Sequence, residues 1–115
     1  MGNNQANAFE KIKGQLAKDK VVVYMKGTKD FPKCGFSRQA VAILQHHGKP
    51  FAAYDVLTDE DLWNYLDEFS GWPTFPQVFV EGKLVGGCDI VTEMHERGDL
   101  KTTLEAAFAA PAGKA

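Results

Sequence analysis

Apolar positions along this chain switch repeatedly between a helical spacing and unbroken short runs. Phe9, Ile12 and Leu16 recur at helical spacing among Glu10, Lys11, Lys13 and Lys18, which predicts an amphipathic helix from about Asn7 to Asp19. Val21-Val22-Val23-Tyr24-Met25 is a continuous β-branched and aromatic run, the pattern of a strand buried on both faces of a sheet. A loop, Gly27 to Lys33, closes at Phe31-Pro32. Helix then follows from Gly35 or Phe36 to about His47, with Val41 and Leu44 inward and Gly48-Lys49-Pro50 as its stop. Phe51 to Val56 reads as a second strand. Asp59 to Phe69 reads as a helix whose apolar face holds Leu62, Trp63, Leu66 and Phe69. The pattern predicts a hairpin of Gln77–Val80 and Lys83–Val85 about Glu81-Gly82. Asp89 is placed to cap a helix reaching Arg97, and Leu100, Leu104 and Phe108 mark a last one.

The order α-β-α-β-α-β-β-α-α predicts an α/β fold, a mixed four-stranded sheet with about five helices on its two faces. A right-handed crossover joins the first two strands. With 115 residues there is one core and one domain, expected over 7–109, between a disordered lead-in, 1–6, and a fraying tail, 110–115.

Charge narrows the partners. The formal net charge is -2, and the basic residues are interleaved with acidic ones, so nucleic acid is not an expected partner. No apolar run approaches the roughly 20 residues of a membrane-spanning helix, so none is expected to enter a bilayer. Two cysteines are too few for a disulfide scaffold and point to a reducing compartment. The polar, Asn-rich start has neither the basic and apolar regions of a secretory signal nor the Arg-rich character of a transit peptide.

Cys34 carries the chemistry. Cys34-Gly35-Phe36-Ser37 is a Cys-x-x-Cys redox motif with serine in the second place, so an internal disulfide cannot form there. At the entry to a helix, with Lys26 and Lys33 nearby, the thiolate is favoured over the thiol. It then uses an external thiol or binds something soft, such as a metal cluster. In Trp72-Pro73-Thr74-Phe75-Pro76, a cis bond before Pro76 would turn the backbone toward Cys34 and leave Phe75 free to pair with an extended peptide. Gly86-Gly87-Cys88-Asp89 offers close backbone approach and helix N–H groups for a carboxylate. For both segments a plain structural turn is the alternative.

Lys26-Gly27-Thr28, Pro32 to Ser37, Trp72 to Gln77 and Gly86 to Asp89 together resemble the monothiol glutaredoxins of the Cys-Gly-Phe-Ser class, over about residues 8–108. The resemblance implies a thioredoxin fold, a cis Pro76 and a glutathione groove. It implies that Lys26 pairs with the glycyl carboxylate, that Phe75 pairs through its backbone, that Cys88 and Asp89 hold the γ-glutamyl end, and that Phe36 shapes the site. It also implies a 2Fe–2S cluster bridging a homodimer. Each protomer gives Cys34 and two glutathiones give the other thiolates, and the cluster is received from an assembly scaffold and passed to apo-proteins. The alternative activity is reduction of protein–glutathione mixed disulfides by Cys34, and an adaptor that binds partners through the Phe75-Pro76 groove is a third reading. One departure stands out: Trp63 occupies a position where many such proteins carry an arginine for the glycyl carboxylate, leaving Gln39 or Lys33 to compensate. The Asp89-Ile90 and Met94-His95-Glu96 continuation resembles mitochondrial members somewhat more than others, giving a mitochondrial matrix or a bacterial cytoplasm as the expected location. His46, His47 and His95 are expected to be solvated residues rather than a metal set.

Overall fold

A computed structural model describes residues 3–109. The elements run in the order α1 (Asn3–Lys18), β1 (Val21–Met25), α2 (Gly35–His47), β2 (Ala52–Asp55), α3 (Glu60–Ser70), β3 (Gln77–Val80), β4 (Lys83–Gly86), α4 (Cys88–Arg97) and α5 (Asp99–Phe108). The four strands form one sheet in the order β2-β1-β3-β4. β1 pairs with β2 in parallel and with β3 antiparallel, and β3 and β4 form the hairpin. This is the thioredoxin arrangement, a mixed sheet between two helical layers.

Strand alternation sorts the core into two halves. Val21, Val23 and Met25 face one side and pack with Val41 and Leu44 of α2, Val91 of α4, and Leu100 and Leu104 of α5. Val22 and Tyr24 face the other side, against Ile12 and Leu16 of α1 and Leu62 and Leu66 of α3. All five residues of β1 are buried, as a central strand requires. β2 lies at the sheet edge and is only half-buried along its length.

Three expectations are corrected. α1 begins at Asn3, so residues 3–6 of the expected lead-in are helical, and Gln5 Nε2 donates to Glu68 Oε2 of α3 at 2.6 Å. Met1, Gly2 and the tail 110–115 lie outside the described residues. Asp89 is not a cap: α4 starts at Cys88 with Gly87 at its N-cap, which leaves Asp89 exposed in the first turn. Trp63 is not in the core. It is 50% exposed, because the buried stripe of α3 runs through Leu62 and Leu66 and turns Trp63 outward.

Candidate functional site

The loop between β1 and α2 fixes Cys34. Lys33 N–H donates to Lys26 O at 2.9 Å, Thr28 N–H to Phe31 O at 3.2 Å, and Phe31 N–H to Thr28 Oγ1 at 3.1 Å. Gly27 N–H reaches Asp55 Oδ1 on the neighbouring strand at 3.0 Å. Gly27 has φ +94°, and a Cβ there would lie 2.7 Å from Lys33 N, so only glycine closes this reversal. Cys34 follows in an extended conformation at the N-cap of α2, with no side-chain capping bond.

The thiol of Cys34 is held below the usual thiol range. The backbone N–H of Ser37 is the main cause, working against the effect of burial. The Phe36 N–H, the charge of Lys26 and the Ser37 hydroxyl add to it. Ser37 is fully buried, and its Oγ accepts from Lys26 N–H at 3.1 Å. Cys88 behaves oppositely. Burial raises its thiol, which outweighs a contact with Thr92 Oγ1 at 3.9 Å. The two free cysteines are thus shifted in opposite directions, Cys34 toward easier ionisation and Cys88 away from it.

The other walls come from the two remaining motifs and α3. The Phe75–Pro76 bond is cis. Buried Gln77 donates through Nε2 to Trp72 O at 2.9 Å and Thr74 O at 3.2 Å, tying down the segment before the bond. Gly86, at φ +150°, would place a Cβ 2.8 Å from Ile90 Cβ, and a Cβ on Gly87 would press on Trp72 Nε1 at 3.1 Å and Pro76 O at 3.2 Å. The glycines therefore let β4 and α4 close against the proline segment. Trp63 stacks on Phe75 with centroids 6.1 Å apart, and Lys26 Nζ lies 5.9 Å from the Trp63 ring centre.

These elements enclose a cavity of about 660 Å³ lined by Lys26, Cys34, Phe36, Trp63, Asp67, Trp72, Pro73, Thr74, Phe75, Pro76, Gly87, Cys88, Asp89 and Ile90. The expected site residues Lys26, Cys34, Phe36, Phe75, Pro76, Cys88 and Asp89 all line it, and so does Trp63. Gln39 and Lys33 do not; Gln39 Nε2 instead donates to Thr92 Oγ1 at 2.9 Å. Asp67 and Ile90 were missed. Asp67 lies one helical turn beyond Trp63, and Ile90 sits in the same first turn of α4 as Asp89, so helical periodicity was the available signal. The cavity joins a thiol shifted toward ionisation, a lysine, two carboxylates and an apolar floor, a composition suited to a small zwitterionic thiol peptide.

A mixed sheet with one activated cysteine at a helix N-terminus, beside a cis-proline groove, defines a thioredoxin-fold thiol protein. The glutaredoxin family profile matches residues 21–85. Glutaredoxin 4 of Haemophilus ducreyi is 47% identical over 97 residues, covering 84% of this chain and 91% of its own. Monothiol glutaredoxin-S17 of Arabidopsis thaliana is 45% identical over 95 residues, 83% of this chain but 20% of that longer protein. The crystal structure of a buckwheat glutaredoxin–glutathione complex superposes with a TM-score of 0.83 at 25% identity, over 95% of this chain and 97% of that one. The chain belongs to the glutaredoxin family, in its monothiol class.

Proposed function

We propose that this protein binds glutathione in the groove beside Cys34 and, as a glutathione-dependent homodimer, carries a 2Fe–2S cluster from an assembly scaffold to apo-proteins in a reducing compartment. One observation carries this reading: each chain brings a single thiolate-biased sulfur to a groove that has matching charges for a glutathione molecule. Four thiolates are needed for two irons, so two Cys34 sulfurs and two glutathione sulfurs complete the set. Lys26 is suited to the glycyl carboxylate and Asp89 to the γ-glutamyl ammonium, while the first-turn N–H groups of α4 suit the γ-glutamyl carboxylate. The buckwheat complex supports a glutathione site on this fold. Anaerobic reconstitution with iron, sulfide and glutathione tests it. A coloured, glutathione-dependent dimer that Cys34→Ser cannot form is expected, and a colourless monomer would sink it.

The lowered thiol of Cys34 favours one further reading, an oxidoreductase acting on protein–glutathione mixed disulfides. The Cys34 thiolate attacks the glutathione sulfur, and the protein leaves as thiolate and takes up a proton. A second glutathione thiolate then attacks the Cys34–glutathione disulfide. Cys34 is released, and the two glutathiones depart as their disulfide. Ser37 has no part as a nucleophile in either half. Robust turnover abolished by Cys34→Ser would favour this reading; negligible turnover with intact glutathione binding would favour the carrier.

A further inference from the structure

His46 and His47, adjacent at the end of α2, meet His95 near the end of α4. His47 Nε2 and His95 Nδ1 are 3.0 Å apart. The ring centres of His46 and His47 are 5.5 Å apart, those of His46 and His95 5.3 Å, and those of His47 and His95 5.1 Å. Each pair of rings is close to perpendicular, at 85°, 80° and 88°. The His46–His47 spacing follows in part from their adjacency on α2; the informative contacts are the two that cross to His95 on α4. Three imidazoles on a tetrahedral ion, with metal–nitrogen bonds of about 2.0–2.1 Å, have ring centres about 5 Å apart.

We propose that His46, His47 and His95 form a binding site for a divalent transition-metal ion of the zinc class, with solvent in the fourth position. Among the described residues no group of three His, Cys, Asp or Glu side chains is arranged, as it stands, to hold a metal ion. The rings must therefore turn about χ2, a broad and soft torsion for histidine, to replace the His47–His95 hydrogen bond with two metal bonds. Lys49 and Lys101 line the cleft beside His46 and His47 and oppose a cation, while Glu105 favours one. Imidazoles suit zinc, copper and nickel far better than magnesium or calcium, which defines the class of ion.

The site is independent of the glutathione groove. It lies at the opposite end of α2, about 18 Å from Cys34 at 1.5 Å per residue. An ion there would join the C-terminal ends of the two helices whose N-termini carry Cys34 and Cys88.

The test is a zinc titration of the full chain in a Cys34→Ser background, without glutathione, by competition with a chromophoric chelator. One ion per chain is expected. His47→Ala and His95→Ala should each weaken it by at least about tenfold, since even groups that only orient metal ligands are worth that much. His46→Ala should weaken it too; an unchanged affinity there would overturn the three-histidine assignment. Zinc should raise the thermal midpoint of the parent but not of His95→Ala. Failure to compete with the chelator, or equal binding by the His47→Ala/His95→Ala double variant, would overturn the site. Should those variants fold poorly, imidazole nitrogen resonances of the chain with all its histidines decide it: zinc must shift His47 and His95, and unmoved signals refute the proposal.

Discussion

Ser37 Oγ, at the position where a dithiol motif has its second cysteine, accepts a hydrogen bond from the backbone N–H of Lys26 at 3.1 Å. The serine that removes a resolving thiol thus locks the end of β1 to the first turn of α2. Ser37→Ala leaves that part-buried N–H without a partner. It should destabilise the fold by about 1–3 kcal/mol in urea denaturation, the usual loss for an orphaned buried donor. It keeps the backbone N–H of residue 37, the largest influence on Cys34, so the thiol should rise only part of the way to its ordinary range. A full return would refute the backbone as the main cause.

Alkylation of Cys34 by iodoacetamide should show a pH midpoint below that of the same chain in urea. Lys26→Gln should move the midpoint upward, because one of the charges favouring the thiolate is gone. The linkage has a definite sign. A depressed thiol stabilises the fold fully above the unfolded thiol value, and that stabilisation is lost as pH falls through the folded one. Relative to Cys34→Ser, the protein should therefore gain stability as pH rises through this window. Identical midpoints in buffer and urea would refute the shift.

Asp59 is a second place where one side chain holds two elements. It caps α3 by accepting from Asp61 N–H at 3.0 Å and Leu62 N–H at 3.2 Å, and Lys11 of α1 lies 2.7 Å away. Burial opposes its ionisation, but the Lys11 hydrogen bond and the Leu62 and Asp61 N–H groups outweigh it and lower the carboxyl. Lys11 is correspondingly raised, with Asp59 its main cause. Asp59→Ala should lose about 1 kcal/mol at neutral pH. Because the folded carboxyl is depressed, the difference is fully present above the unfolded value of about 3.9 and shrinks as pH falls through the folded one. A pH-independent difference in denaturation midpoints would refute the ionic part of this cap.

Much of this was legible in the residues, for physical reasons that differ by element. β1 could be read because a central strand is apolar throughout, and α3 because Leu62 and Leu66 sit one turn apart. The first turn of α1 could not, since Asn3 to Ala6 present no apolar stripe and Gln5 is anchored only by Glu68 across space. Trp63 was misplaced because composition cannot tell a large apolar residue in the core from one flanking a groove. The histidine cluster was illegible for a related reason: His47 and His95 are 48 residues apart, and only the packing of α2 on α4 joins them. The groove was legible because its three loop motifs each carry local backbone signals, glycine or proline, that mark close approach.

Trp63 gives the sharpest test of how this groove recognises its ligand. It stacks on Phe75 and lies beside Lys26, so it covers the apolar floor while bringing one neutral N–H donor in place of a charged, forked guanidinium. Trp63→Arg would add a guanidinium on the same exposed turn of α3, next to the lysine expected to meet the glycyl carboxylate. One added charge-assisted contact at an exposed site is worth about 1 kcal/mol, or roughly fivefold in affinity for glutathione. The gain should fade with added salt, as a screened surface interaction must. Loss of the Phe75 stack works the other way, so Trp63→Ala should bind more weakly than the parent and Trp63→Arg more tightly. Calorimetric titration of reduced glutathione into the three proteins at two ionic strengths decides it. If Trp63→Arg and Trp63→Ala weaken binding alike, the indole itself supplies the contact that the arginine was expected to make.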